Sequence, residues 1–224
     1  MATGLSSGAL SAKQTSLLGC GAYKGFQDYF GDGGTANTLK SAYWNETTVG
    51  GSPGTVTIVN GTDDLPVYCA LASGADAADS AEINTRNKYM VSHNISDVTT
   101  VHLRFRARIT VIDAGNADFH LGLADSGLAH AAVFISDGMT GIEYLSDDDT
   151  ATEETDASGD ISQNIWYTFE IRIVAASVKF YVDTVLKATH STRIPKEPVE
   201  VQYKALNSGT STNVEVQYTQ LWVE

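Results

Sequence analysis

Hydrophobic and polar residues alternate with a period of two through much of the stretch between residues 165 and 190. Tyr167, Phe169 and Ile171 fall on one face of a predicted strand, and the residues between them are polar. After a short break the apolar face returns at Val178, so the next strand runs antiparallel to the first. This pattern predicts half-buried strands of an antiparallel sheet.

Similar strands recur along the whole chain with turn residues between them, and no stretch has the period of an amphipathic helix. Strands are predicted at Gly54–Val59, Val67–Ala72, Ala81–Val91, Val101–Ile112, Asp118–Ala124, Ala131–Ser136, Gly141–Ser146, Ile165–Val174, Val178–Asp183, Val185–His190, Pro198–Leu206 and Asn213–Val223. About a dozen strands in about 200 residues predict an all-β fold, a two-sheet antiparallel sandwich. Because Thr184 follows Asp183 where hairpins usually have Gly, a tight turn with positive φ is not expected there.

Length and charge limit the class of protein. A chain of 224 residues is long enough for one large all-β domain with a sizeable core. Its 27 Asp and Glu residues against 14 Lys and Arg residues give a formal net charge of −13, which opposes binding to nucleic acid phosphates. No apolar run approaches the length of a membrane span, so membrane insertion is not expected either.

The start of the chain differs in composition from the rest. Residues 1–22 are rich in Gly and Ser and are predicted to form an N-terminal arm before a single domain at residues 23–224. The arm either contacts a neighbouring subunit or partner, or returns as an edge strand on its own sandwich. The start does not resemble a signal peptide, so Cys20 and Cys69 are expected to be reduced, with a disulfide between them as the alternative.

Several segments follow one another in a characteristic order. They are FQDYF at Phe26–Phe30, the pair Tyr43-Trp44, GTVTIVNG at Gly54–Gly61, WYTFEIRI at Trp166–Ile173, VKFYVD at Val178–Asp183 and VEVQYTQLWVE at Val214–Glu224. Together they resemble concanavalin A-like lectins and glucanases, including laminin-G-like domains, over roughly Tyr23 to Glu224. The resemblance implies a concanavalin A-like jelly roll with glycans as candidate ligands.

Enzymes of the laminarinase type in this family carry Glu-x-Asp-x-Glu on a strand, where alternate residues project from one face as nucleophile and acid/base. No such motif occurs in this sequence, and the nearest approach is Glu154-Thr155-Asp156 in a segment rich in Asp and Thr. A Gly-x-Ser-x-Gly nucleophile turn is also absent from the sequence. The chain is therefore predicted not to be an enzyme and to have no catalytic residues.

A row of basic residues is the first candidate for ligand binding. Arg104, Arg106 and Arg108 alternate with apolar residues and project from one strand face about 7 Å apart, which suits a sugar acid or an anionic partner. The alternative is ion pairing with outward carboxylates of neighbouring strands, namely Glu170, Glu200 and Glu215.

Three further residues are candidates for ligand binding. His120 lies near Asp118 on a predicted strand face and suits a lyase-type or metal role, with a merely solvated position as the alternative. Tyr144 and Tyr181 carry flat rings, which stack on the apolar face of a sugar when they are exposed.

An acidic segment at Ser146–Asp160 is the most distinctive polar part of the sequence. Hard oxygen ligands at this density suit calcium, whereas mutual repulsion would keep the loop solvated. The predicted calcium ligands are Asp147, Asp148, Asp149, Glu153 and Asp156.

The Ala-, Gly- and Thr-rich composition resembles that of structural proteins of tailed viruses. The sequence is therefore interpreted as a non-catalytic adhesion protein, a virion decoration or appendage protein that self-associates or binds other virion proteins. Its expected location is the virion surface. One alternative is a secreted or surface lectin domain that binds a glycan. The other is a glycan-active hydrolase or lyase with a diverged site.

Overall fold

The computed structural model describes residues 24–28, 30, 44–60, 67–85, 100–112, 117–136, 141–197 and 199–224. These residues form fifteen β-strands and no helix. The strands are β1 (Lys24–Asp28), β2 (Trp44–Val49), β3 (Thr55–Val59), β4 (Tyr68–Ala72), β5 (Ser80–Thr85), β6 (Thr100–Ile109), β7 (Ala117–Ala124), β8 (His130–Ser136), β9 (Glu143–Asp148), β10 (Thr152–Asp156), β11 (Tyr167–Val174), β12 (Ser177–Val182), β13 (Val185–His190), β14 (Glu200–Asn207) and β15 (Asn213–Val223). A membrane-spanning helix is accordingly not found in these ranges.

The strands pair into two antiparallel sheets. In sheet A the order is β13-β12-β11-β6-β15-β4-β3, and β1 pairs with the C-terminal half of β15. In sheet B the order is β10-β9-β8-β7-β14-β5-β2. This architecture confirms the predicted all-β fold, a two-sheet antiparallel jelly-roll sandwich.

Aromatic side chains from both sheets meet in the core around Phe105 of β6. The ring of Phe105 lies 5.2 Å from Phe169 in sheet A, and 6.0 Å and 5.1 Å from Phe134 and Tyr203 in sheet B, measured between ring centroids. All four residues are fully buried. Large aromatic rings bury more apolar surface than any other side chains, so this cluster holds the two sheets together.

A buried hydrogen bond ties the edge of sheet B to sheet A. Trp44 opens β2 with 1 % of its surface exposed, and its Nε1 donates to Oδ2 of Asp28, the last residue of β1, at 2.8 Å. The other oxygen of Asp28 accepts from the backbone N–H of Phe30 at 3.0 Å. Both oxygens of this buried carboxylate therefore have donors, as a buried charge requires.

The turn between β12 and β13 corrects the sequence analysis, which did not expect a tight turn. Asp183 and Thr184 have φ values of 47° and 70°, and Val182 pairs directly with Val185. Two central residues with positive φ are typical of the hairpin turn whose twist matches that of the strands. Asp183 tolerates this backbone because its Oδ1 accepts from the backbone N–H of Thr168 at 2.8 Å.

The bounds of β13 and β15 coincide with the prediction, whereas β1, β2 and β10 were not predicted. Polar residues dominate the sequences of β2 and β10, WNETTV and TEETD, so these strands lack the apolar alternation that marks a strand in a sequence.

Two predictions concern residues outside the described part of the chain. The N-terminal arm at residues 1–22 lies there, so the proposed division into arm and domain stays a prediction. Cys20 lies there as well. Cys69 on β4 is a free, fully buried thiol whose pKa is raised by burial.

Removal of the Phe105 ring should test the role of the aromatic core. We expect Phe105→Ala to lower the free energy of unfolding by about 3–5 kcal/mol, because it leaves a cavity between the sheets. Leu186→Ala is the matched control, since Leu186 is 50 % exposed and its truncation should change stability by less than about 0.5 kcal/mol. Denaturant unfolding measures both, and equal losses would contradict this account of the core.

Candidate functional site

A group of polar side chains lies on the outer face of sheet B, where β5, β14 and β7 are neighbours. Alternate residues of these strands fill the core, so the residues between them point outward. The register places Gln202 opposite Asn84, and Lys204 between Glu82 and His120. These five residues are called the polar cluster below.

Hydrogen bonds join most of the polar cluster into one network. Oε1 of Glu82 accepts from Nδ2 of Asn84 at 2.9 Å and from Nε2 of Gln202 at 3.0 Å. Nζ of Lys204 lies 3.9 Å from the other oxygen of Glu82. Asn45 of β2 extends the network by donating to Oδ1 of Asn84 at 3.1 Å. The carboxylate of Glu82 is therefore the centre that orients its neighbours.

Gln202 is the unusual member of this network. It is 3 % exposed, and its Oε1 has no hydrogen-bond partner in the described structure. The Nε2 of the same amide is held by Glu82, so rotating the amide group would only exchange one unsatisfied atom for another. A buried acceptor without a donor costs free energy, and it calls for an explanation such as a bound ligand.

His120 contributes a neutral imidazole to the polar cluster. Burial, followed by the positive charge of Lys204, lowers the pKa of His120 to about 4. At neutral pH the ring therefore has one donor and one acceptor nitrogen. The cluster thus combines a carboxylate, an ammonium group, two amides and an imidazole in adjoining rows of one sheet.

An apolar patch borders the polar cluster on the same face. It is formed by outward residues of β7, β8 and β9 that are at least nine-tenths buried, namely Ala124, Ala131, Val133, Ile135 and Leu145. Ile135 pairs with His120 in the register of β8 and β7. The buried patch lowers the local dielectric beside His120, which agrees with the lowered pKa of this residue.

The structure places the predicted ligand-binding residues on the outer faces of both sheets and, for Tyr144, in the core. Arg104, Arg106, Arg108 and Tyr181 lie on the outer face of sheet A, whereas His120 lies on that of sheet B. The predicted residues therefore do not form one site.

The prediction for Tyr144 is wrong, because its ring points into the core. Tyr144 is 1 % exposed, and its ring lies 5.5 Å from the rings of Phe134 and Phe180. Its hydroxyl donates to Asp160 at 2.7 Å. Tyr144 lies on the core-facing side of β9, so its ring cannot stack on a sugar.

The arginine row has one of the ion pairs that the sequence analysis considered. Arg108 donates from Nε to Glu215 of β15 at 2.6 Å, and its Nη2 lies 2.5 Å from the same oxygen. Glu170 instead pairs with Arg172 on its own strand at 2.5 Å. Glu200 lies on β14 in sheet B, on the opposite side of the sandwich, so it is not a partner for this row.

The predicted calcium ligands do not converge on one point. The segment that was expected to be a loop is the hairpin of β9 and β10, so its side chains alternate between two faces. In the described ranges no three His, Cys, Asp or Glu side chains are placed to hold a metal ion. The acidic residues concerned are Asp147, Asp148, Asp149, Glu153 and Asp156.

Several of these carboxylates already have partners within the chain. Asp148 accepts from Nζ of Lys196 at 2.7 Å, and Lys196 together with Thr150 holds the pKa of Asp148 well below its usual range. Glu153 accepts from the backbone N–H groups of Ser191 and Thr192 at 3.0 Å and 2.9 Å. These contacts brace the hairpin, and they correct the calcium interpretation.

Four members of the polar cluster were missed by the sequence analysis. Gln202 and Lys204 alternate with apolar residues in β14, which was a visible signal of an outward face. The pairing of β14 with β5 was not visible, because Gln202 and Glu82 are 120 residues apart in the chain. Sequence alternation gives the face of a strand, and only the sheet order brings Asn84 to Gln202.

The chain has the concanavalin A-like jelly-roll fold, as solved structures with the same architecture show. The catalytic domain of an endo-1,3-β-glucanase (laminarinase) from Thermotoga petrophila RKU-1 has a TM-score of 0.58 at 10 % identity, covering 90 % of this chain and 98 % of its own. The β-glucanase of Bacillus licheniformis has a TM-score of 0.53 at 14 % identity, with 88 % and 97 % covered. The carbohydrate recognition domain of Emp46p, in its metal-free form, has a TM-score of 0.54 at 9 % identity, with 84 % and 91 % covered.

No family model matches the sequence, and no curated protein does. The structural comparisons overturn the prediction that the chain is not an enzyme, because several structures with this fold are glycoside hydrolases. That prediction relied on the absence of the Glu-x-Asp-x-Glu motif from the sequence. At identities of 10–14 % to two of these glucanases, the likeness itself shows the fold alone.

The lowered pKa of His120 predicts how stability depends on pH. The unfolded chain takes up a proton near pH 6.5 and the folded chain only near pH 4, so stability falls as pH drops through this window. Between pH 7 and 5 we expect His120 to account for a loss of about 2 kcal/mol. His190, whose pKa is lowered mainly by burial, adds to this loss.

The measurement is denaturant unfolding of the wild type and His120→Gln at pH 7 and pH 5. The variant should lose less stability than the wild type over this interval, because Gln does not titrate. Carboxylates with lowered pKa values titrate below this interval and leave the comparison undisturbed. The same pH dependence in both proteins would contradict the role of His120.

Proposed function

We propose that this protein binds a glycan on the outer face of sheet B, at the polar cluster. The observation that carries the proposal is the Oε1 of Gln202, a buried acceptor without a donor in a row of otherwise bonded polar groups. A sugar hydroxyl would supply the missing donor. This proposal follows the lectin alternative of the sequence analysis more closely than its virion interpretation.

The chemistry of the polar cluster suits a neutral, polyhydroxylated ligand. Glu82 and Lys204 offset each other in charge, and His120 is neutral, so the cluster has little net charge. Each sugar hydroxyl both donates and accepts, and Asn84 and Gln202 offer both functions through one planar amide. The side chains of Glu82 and Lys204 are 16 % and 25 % exposed, so part of the cluster is open to a ligand.

The comparisons support the class of ligand without naming it. Structures with this fold include a carbohydrate recognition domain and several glucanases. In these proteins the sandwich is associated with carbohydrates, and the polar cluster gives the present chain its own candidate contact surface. The identity of the sugar and its linkage are questions for a binding panel.

A second candidate function is glycan cleavage at the same cluster. Lys204 lies between Glu82 and His120 in the register, so a carboxylate and a neutral imidazole flank one ammonium group. The carboxylate of Glu82 can exchange a proton with a bound sugar, whereas His120, with a pKa lowered to about 4, is neutral and only a weak proton acceptor near pH 7. Both functions use one surface, so binding and cleavage have to be measured separately.

The virion surface, self-association and the arm at residues 1–22 form a separate proposal. This proposal rests on the composition of the sequence. It is compatible with glycan binding, because a virion appendage can bind glycans as a secreted lectin does. Oligomeric state in solution, with and without residues 2–20, is the measurement that tests this part.

Gln202→Ala should weaken glycan binding. On a panel of laminarin, mixed-linkage β-glucan, xylan and mannan, we expect the wild type to bind at least one polymer and the variant to bind it at least ten-fold more weakly, about 1.4 kcal/mol. Gln163→Ala is the matched control, because Gln163 is exposed and does not belong to the strands that form the cluster. Failure of the wild type to bind the panel, or equal binding by both variants, would refute this site.

Cleavage is tested with Glu82→Gln, which keeps the shape of the side chain and removes its charge. If the cluster cleaves a glycan, the wild type releases reducing ends from the polymer that it binds, and Glu82→Gln releases them at least ten-fold more slowly. Gln163→Ala should retain the wild-type rate. Absence of product with every bound polymer would leave binding alone as the function of the cluster.

A further inference from the structure

The outer face of sheet A carries the arginine row of β6, and its members differ in how their charges are compensated. Arg108 is fully engaged: Glu215 accepts from it at 2.6 Å, and its guanidinium carbon lies 5.0 Å from the ring centroid of Trp166. Arg106 lies over the same ring at 5.7 Å. In the described ranges, no carboxylate lies within salt-bridge distance of Arg106.

Arg104 lacks the partner that the sheet register offers it. It pairs with Glu170 across β11, yet Oε1 of Glu170 accepts from Arg172 at 2.5 Å and lies 3.5 Å from Nδ1 of His102. The Nε of Arg104 is buried and has no hydrogen-bond partner among the described residues. A guanidinium with a buried, unsatisfied N–H is costly, and an external acceptor would remove that cost.

A second unsatisfied donor lies on the same face. The Nε1 of Trp166 is buried and also has no partner within the described structure. Lys179 of β12 points outward beside Arg172, and the described residues provide no carboxylate for it. Two buried N–H donors on the outer face of sheet A therefore have no acceptor among the described residues, in a chain whose formal net charge is −13.

Two aromatic rings lie around Arg104. Tyr181 belongs to the same row of the sheet, because it pairs with Glu170, the neighbour of Arg104. Trp222 stacks on His102 at 4.5 Å, two residues from Arg104 along β6. The guanidinium of Arg172 lies 4.4 Å over one face of the Tyr181 ring, as His102 lies over one face of Trp222. Both rings are partly exposed, and flat rings next to a cation suit a sugar that carries an anionic group.

We propose that the outer face of sheet A binds an acidic glycan, with Arg104 as the main contact to its anionic group. The group is a carboxylate of a uronic acid or a sulfate ester, since both present the oxygen acceptors that Arg104 lacks. This site lies on the side of the sandwich opposite to the polar cluster, so it does not rest on the proposed function.

The overall negative charge of the chain sets the conditions of the test. At about 0.15 M salt the Debye length is about 8 Å, so distant carboxylates are screened while direct contacts to Arg104 persist. The probes are dextran sulfate, polygalacturonate, neutral dextran and poly-glutamate, each titrated against the full chain by calorimetry.

We expect one of the two anionic glycans to bind, neutral dextran not to bind, and Arg104→Ala to weaken the interaction at least ten-fold. Arg193→Ala is the matched control: it removes the same charge from a side chain that already contacts Thr150 and Asp148, and it should weaken binding less than three-fold. Arg104→Lys keeps the charge and loses Nε, so it should fall between the two. The melting temperature of Arg104→Ala checks that the variant is folded, so that a loss of binding reports the lost guanidinium.

The outcomes are distinct. Binding of dextran sulfate alone identifies a sulfate site, and binding of polygalacturonate alone identifies a carboxylate site. Binding of poly-glutamate as tight as that of either glycan would overturn the glycan assignment in favour of an acidic protein partner. Equal losses in Arg104→Ala and Arg193→Ala, or no binding of either anionic glycan, would overturn the site itself.

Discussion

Aromatic packing between the two sheets, centred on Phe105, fixes which side chains reach the outer faces. Side chains alternate along a strand, so burying Phe105 on β6 sends Arg104 to the outer face of sheet A. Tyr203 on β14 contacts the same ring from sheet B, which sends Gln202 to the opposite outer face. A slip of either strand by one residue would bury these polar groups, so both faces depend on the same core contacts.

Much of the fold could be predicted because the core leaves a period of two in the sequence. The strands β13 and β15 were found with the correct bounds, while β1, β2 and β10 were missed; β2 and β10 contain few apolar residues and so lack this period. The turn at Asp183 and Thr184 was missed for a different reason: both residues adopt positive φ without Gly, and Asp183 is held by a hydrogen bond from the backbone N–H of Thr168. Bonds of this kind depend on the paired strand, which a local pattern does not contain.

The candidate sites could be predicted only in part. The arginine row was visible as an alternation, and so was the outward position of His120. Which arginine is compensated was not visible, because Glu215 reaches Arg108 from a strand 107 residues away. Unsatisfied atoms are a property of the assembled sheets. Neither the amide of Gln202 nor the guanidinium of Arg104 could be recognised as lacking a partner before the neighbours were known.

The two outer faces differ in charge, and this difference separates their chemistry. On sheet B the carboxylate of Glu82 lies near the ammonium group of Lys204, so contacts there are hydrogen bonds to neutral groups, which salt screens little. On sheet A, Arg104 and Arg106 have no salt-bridge partner among the described residues, so an anionic ligand there would gain from ionic contact and lose affinity as salt rises. The two proposals therefore differ in salt dependence: glycan binding at sheet B should persist in high salt, and binding of an acidic glycan at sheet A should be lost.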